Sequence, residues 1–168
     1  GSEMCIRDRL IKGSNINIKN VLFNDTRIGF IKVLQKMGAN IQLLNTRIEC
    51  FEKVTDINIR YSQNLKSVTL KKSDILSMID EIPVFALVAC FAKGQTRVNH
   101  AIELRYKESD RIKSIVFNLK QCGAKIREIK EGFIIDKSKL LYNTSVENFH
   151  DHRIAMMCEI LFLVVKGS

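Results

Sequence analysis

Six charged side chains stand within nine residues in the run Glu103-Leu104-Arg105-Tyr106-Lys107-Glu108-Ser109-Asp110-Arg111, directly before an amphipathic segment. Ser109 or Asp110 can cap the backbone N–H groups of a helix predicted from Arg111 to Cys122, and that end of a helix is electropositive. Lys107 and Arg111 add full positive charges beside it. Free N–H groups, an ammonium and a guanidinium together fit a phosphate or a carboxylate. Glu108 in their midst is a carboxylate available for proton transfer. Taken by itself, such a run is also the ordinary composition of a solvated, salt-bridged helix start, so its chemistry depends on what stands opposite.

Two further charged groups precede helical segments. Asp80-Glu81 comes before Ile82, and His150-Asp151-His152-Arg153 comes before Ile154. If the helix starts at Asp80, Ser109 and Asp151 converge, they form one pocket of carboxylates, lysine and arginines. Asp80 and Asp151 can each equally be simple N-caps. His150 and His152 do not make a metal site, because two residues apart at a helix start places them about 200° apart around the axis.

The elements that must position these residues have an unusual pattern. Ile82 to Ala92 and Ile154 to Val165 are apolar nearly all round, interrupted in the second by Glu159, so both helices are expected to be buried on every side. Neither approaches the roughly 20 residues needed to span a bilayer. Strand candidates alternate instead: Ile16 and Ile18; Ile57, Ile59 and Tyr61; Val68 and Leu70; Ile126 with Ile129; Phe133 to Ile135. Such strands suit sheets with one wet face. Helices inside and half-polar sheets outside is the reverse of a doubly wound fold. No G-x-G-x-x-G or Walker sequence is present.

The chain also repeats itself at a separation of 85 residues, with identical pairs Asp25/Asp110, Leu34/Leu119, Gly38/Gly123, Ala39/Ala124 and Ile41/Ile126. Phe30/Ile115 and Ile31/Val116 match in character. Each copy reads as a helix closed by glycine and followed by a strand.

Composition sets the remaining bounds. The 168 residues, 46% hydrophobic and 27% charged, with 8 glycines and Pro83 as the only proline, describe one globular unit without a flexible linker. Five cysteines, an odd number without any C-x-x-C pair, point to reduced thiols in the cytoplasm. A net charge of +9 favours acidic partners. The positive residues are nevertheless dispersed, without basic runs, aromatic-basic interleaving or zinc-finger spacing, which argues for a small anionic substrate over nucleic acid. The opening Met4-Cys5-Ile6-Arg7-Asp8-Arg9 resembles a translated sequencing adapter behind a cloning-type Gly1-Ser2. Residues 1–9 are therefore set aside, with the expectation that the natural chain continues upstream.

Leu104-Arg105-Tyr106-Lys107-Glu108-Ser109-Asp110-Arg111-Ile112 and Asp151-His152-Arg153-Ile154-Ala155-Met156 resemble two signature regions of the EPSP synthase family. The resemblance extends in the same order through Asn24-Asp25-Thr26-Arg27 and Met78-Ile79-Asp80-Glu81-Ile82-Pro83, and covers about Ile11 to Gly167. Asp25 stands where that family usually has proline, and Tyr106 where it has valine. The resemblance implies an α/β fold, part of an inside-out α/β barrel of repeated β-α-β-α-β-β units, with residues 10–168 forming most of the C-terminal of two domains. It also implies transfer of the enolpyruvyl group of phosphoenolpyruvate to the 5-hydroxyl of shikimate 3-phosphate, in the shikimate pathway of aromatic amino-acid biosynthesis.

By the same resemblance Glu108 delivers a proton to the methylene carbon, and Asp80 accepts the hydroxyl proton while holding the shikimate ring. Arg111 and Arg153 grip phosphoenolpyruvate, Lys107 lies between the substrates and stabilises developing charge, and His152 lines the site. No metal and no organic cofactor is implied. The expected partners are the two small substrates and a second domain of the same enzyme, without which the fragment is expected to be inactive. Two alternatives remain open on sequence: the sister family that acts on UDP-N-acetylglucosamine, and a non-catalytic basic module that binds RNA.

Overall fold

A computed structural model of the chain describes residues 15–22, 28–141, 143 and 145–166. The adapter-like start, the motif Asn24-Asp25-Thr26-Arg27 and the first member of the Asp25/Asp110 pair lie outside these residues. The elements are β1 (Asn15–Leu22), α1 (Gly29–Lys36), β2 (Asn40–Glu49), β3 (Glu52–Arg60), α2 (Lys72–Ser77), α3 (Ile82–Ala89), β4 (Gln95–Val98), α4 (Arg111–Gln121), β5 (Lys125–Ile129), β6 (Gly132–Asp136) and α5 (His152–Lys166). Short 3-10 turns, Ile79–Glu81 and Ile102–Tyr106, precede α3 and α4.

The strands form two antiparallel three-stranded sheets, β1-β3-β2 and β4-β6-β5, each with its last strand in the middle. Beside β4 the chain at Lys66 and Thr69 makes single parallel bridges to Lys93 and Arg97, so the expected strand at Val68 and Leu70 is reduced to bridges. With that segment counted, the order from Lys66 to Asp136 is β-α-α-β-α-β-β, the expected β-α-β-α-β-β pattern with its first helical step divided between α2 and α3. The first sheet supplies the last four elements of the same pattern.

The repeat extends beyond the identical residues. Gly38 and Gly123 adopt φ of +86° and +84°, a region costly for residues with a Cβ. In each copy the next residue's N–H returns to the helix, Ala39 to Leu34 O at 3.0 Å and Ala124 to Leu119 O at 2.9 Å. Ser62 Oγ accepts from Asn40 N, and Ser138 Oγ from Lys125 N, both at 2.8 Å. The two hairpins differ in length: β2 and β3 pair from Asn40↔Arg60 out to Glu49↔Glu52, while β5 and β6 stop at Ile129↔Gly132. The turn of the longer hairpin carries Cys50 and Phe51 at positive φ, and Phe51 is fully exposed at 103%.

Burial follows the inside-out arrangement. Every residue of α3 is buried, and one continuous core joins it to α1, α4, α5 and the inner faces of both sheets, including Ile41, Ile57, Ile59, Ile126, Phe133 and Ile135. Two expectations are corrected. The helix α5 buries Ile154, Met157, Ile160, Leu161 and Val164, but Phe162 and Leu163 are 38% and 45% exposed, with the Lys166 ammonium 4.2 Å from the Phe162 ring centroid. In β6 the outer-face Ile134 is buried as well; its register places it between Arg97 and Arg127, whose aliphatic stems can cover an apolar neighbour. Among the described residues no helix is long and apolar enough to cross a membrane.

Candidate functional site

The guanidinium of Arg111, at the first turn of α4, is where the charged segments meet. Its side chain is 1% exposed, and a buried guanidinium needs a hydrogen-bonded counter-charge. Nε donates to Asp151 Oδ2 at 2.8 Å, Nη1 to Asp80 Oδ1 at 3.0 Å and Nη2 to Glu108 Oε2 at 2.6 Å. These carboxylates come from the cap of α5, the 3-10 turn before α3 and the loop before α4. The three helix starts therefore converge, and they do so on one side chain.

Exposure is graded across this cluster. Asp151 has a side chain with 0% exposure, Asp80 and Glu108 are half-exposed, and His152 faces solvent. The arrangement is a wall with a buried base and an open rim. On the rim, Arg153 Nη2 lies 3.8 Å from Asp80 Oδ2, and His152 Nδ1 lies 4.0 Å from Glu108 Oε1. Lys107 is exposed beside Glu108 and makes no hydrogen bond or ion pair among the described residues. Of the residues named from sequence, Asp80, Glu108, Arg111, His152 and Arg153 thus share one cluster, while Lys107 stands at its edge.

Electrostatics fix the buried pair as ions. Burial works against the Arg111 charge, but the hydrogen bond to Asp151 and the Asp80 and Glu108 carboxylates hold its pKa above the ordinary arginine value. Burial likewise pushes the Asp151 carboxyl up, and Arg111, the Arg153 N–H and Ser109 outweigh it, leaving the group below the usual carboxylate range. Among the described residues no group of three or more His, Cys, Asp or Glu is arranged to hold a metal ion.

The caps resolve differently at the three starts. Asp110, not Ser109, caps α4, its Oδ1 accepting from Lys113 N at 3.1 Å. Ser109 Oγ instead donates to Asp151 Oδ2 at 3.1 Å. Asp80 is not a cap: α3 begins after Glu81 without a side-chain cap bond and with Pro83 in its first turn. Asp151 does both jobs, since Oδ1 accepts from Arg153 N at 2.9 Å and Ile154 N at 3.4 Å while Oδ2 serves Arg111.

Part of the charged run is scaffold. Arg105 pairs with Asp110 at 2.9 Å and Glu128 at 2.8 Å, and donates to the carbonyls of Ile129 and Lys130. That ties the run to the β5–β6 turn. Sequence reasoning also missed Asn118, buried on α4, which donates to Glu147 O and accepts from Glu147 N, both at 2.8 Å. With an edge-on contact between Phe117 and Phe149 at 5.6 Å, it clamps the segment leading to Asp151 against α4. No spacing signal marks an asparagine that pairs with a backbone 29 residues away.

This geometry can hold a small dianion at the rim, by exchanging it for Asp80 and Glu108 on the Nη edge of Arg111. It keeps two carboxylates at hand for proton transfer.

Comparison with known proteins gives the arrangement a family. The profile of EPSP synthase (3-phosphoshikimate 1-carboxyvinyltransferase) matches residues 9–168. The 3-phosphoshikimate 1-carboxyvinyltransferase of Persephonella marina is 44% identical over 155 residues, which are 92% of this chain and 36% of that protein. Among solved structures, EPSP synthase from Acinetobacter baumannii superposes with a TM-score of 0.90 at 33% identity, over 96% of this chain and 38% of that one. The enolpyruvyl transferase NikO from Streptomyces tendae shares the fold at a TM-score of 0.62 and 13% identity, over 97% of this chain and 35% of that one. The chain spans just over a third of the length of the curated relatives it matches. With the profile matched along nearly its whole length, the chain belongs to the EPSP synthase family.

Proposed function

We propose that this chain forms the phosphoenolpyruvate-binding wall of an enzyme that transfers the enolpyruvyl group to the 5-hydroxyl of shikimate 3-phosphate. Residues 10–168 act in this reading as one domain, and the remaining length typical of the relatives supplies the opposite wall. The observation that carries it is the convergence of Asp80, Glu108, Arg111 and Arg153 at three helix starts, in a chain of this family.

The chemistry needs such a set. The hydroxyl oxygen attacks C2 of the enol phosphate while its proton leaves, and C3 gains a proton to become a methyl group. The adduct then loses a methyl proton and phosphate, restoring the C=C bond. Asp80 receives the hydroxyl proton, and Glu108 delivers a proton to C3 and takes one back. Arg111 and Arg153 hold the phosphate and carboxylate of phosphoenolpyruvate, Lys107 stabilises charge as it develops, and His152 lines the site. The described cysteines are free thiols, in keeping with a cytoplasmic enzyme, and the dispersed positive charge suits small anionic substrates.

Calorimetric titration of the 168-residue chain with phosphoenolpyruvate tests the reading. Weak binding is expected, lost in Arg153→Ala and kept in Glu108→Gln, with no phosphate released when both substrates are present. Binding indifferent to Arg153→Ala, together with salt-dependent RNA binding, would support the basic-module alternative instead.

A further inference from the structure

Asp151 carries no role in the reaction just described, yet it is the most completely buried carboxylate of the cluster and uses both oxygens. Oδ2 accepts from Arg111 Nε at 2.8 Å and Ser109 Oγ at 3.1 Å, and Oδ1 accepts from Arg153 N at 2.9 Å. The segment before it is held for this purpose. Phe149 and His150 are consecutive non-glycine residues at φ of +53° and +55°, a conformation that persists only where surroundings impose it. Asn118 and Phe117 on α4 supply that constraint through Glu147 and Phe149.

Two consequences follow for the site. With Nε committed to a buried anion, the guanidinium of Arg111 cannot turn, and only its Nη1/Nη2 edge faces Asp80 and Glu108. The same carboxylate sets where α5 begins, and so where His152 and Arg153 stand relative to that edge. We propose that Asp151 is a positioning residue for anion binding: it presents Arg111 edge-on to the ligand and registers Arg153 beside it, without itself touching substrate. This rests on the phosphoenolpyruvate reading for the ligand, while the geometry of Arg111 is testable without any ligand.

Asparagine is a revealing replacement. It has nearly the same shape and is as good an N-cap, but one of its two positions carries N–H donors, so it cannot accept from both Arg111 Nε and the Arg153 N–H. The test is nitrogen-proton NMR of the Arg111 Nε–H, joined to calorimetry with phosphoenolpyruvate. In the unaltered chain that Nε–H should exchange slowly and stay protected when phosphoenolpyruvate is added. Asp151→Asn should lose that protection or the protection of the Arg153 amide, and should weaken phosphoenolpyruvate by about tenfold or more, the ratio expected for losing one charge-assisted hydrogen bond. Ser109→Ala, which leaves Asp151 its ionic partner, should change affinity by about twofold or less.

Unchanged protection and affinity in Asp151→Asn would overturn the proposal. If that variant does not fold, the unaltered chain decides. An Nε–H that exchanges as fast as an exposed arginine, or loses protection when phosphoenolpyruvate binds, would equally refute it. Failure of phosphoenolpyruvate to bind at all would remove the functional reading, and the ligand-free Nε–H comparison would still judge the positioning role.

Discussion

The Arg111–Asp151 pair illustrates how one ion pair can be both a stability element and a site element. Removing one member of a buried pair leaves the other unsolvated, which costs about 3–5 kcal/mol. Arg111→Ala is expected to lose stability of that order in denaturant unfolding at neutral pH, because Asp151 stays buried, whereas Asp80 and Glu108 can turn to water. The pair also sets an acid limit. Asp151 has its folded pKa depressed, so its contribution is fully present above the unfolded carboxylate value of about 3.9 and is lost as pH falls through the folded value. Unfolding free energies measured from pH 7 downward should therefore fall in the acid range, with a shallower fall in Arg111→Ala. Sequence showed the residue types at this site but not their pairing. Spacing suggests the neighbour Glu108, three residues before Arg111, but cannot distinguish an arginine awaiting an anion from one already shared by three carboxylates, because the other two lie 31 and 40 residues away.

The two copies of the helix-glycine-strand unit show what is legible among elements. Helix identity, the glycine stop and the strand after it were readable because Leu34-to-Ile41 and Leu119-to-Ile126 repeat at constant separation. The match then vanishes from sequence while persisting in space: Ser62 and Ser138 play the same part, but the unequal hairpins between put them out of step. Burial of α5 was misjudged for a related reason, since an apolar residue reports a capacity for burial and not the presence of a neighbour. The glycines supply the test at this scale. Gly123→Ala should cost about 1–2 kcal/mol in thermal or denaturant unfolding, since alanine must adopt the left-handed backbone; the added methyl would only reach ordinary contact with Lys139 O at 3.5 Å. A helix-face glycine replaced without loss would have implied space, but here conformation sets the cost.

For the molecule as a whole, the inside-out fold was legible from two apolar helices beside alternating strands, and it is the fold of the family to which the chain belongs. One core runs through both sheets, yet the sheets do not end alike. Beyond the irregularity between Leu44 and Arg47 the longer hairpin projects past that core, with Ile48 and Phe51 open to water. Its outer backbone hydrogen bonds have little apolar burial to protect them, so they belong to the low-energy end of local opening. Native-state hydrogen exchange should accordingly split the central strand β3 in two: amides near the buried Ile57 and Ile59 exchanging only with global unfolding, and those near Glu52, at the tip of the hairpin, exchanging through a smaller excursion with little denaturant dependence. The shorter β5–β6 hairpin should show no such split. Two units of one pattern would thus differ in the timescale on which they breathe.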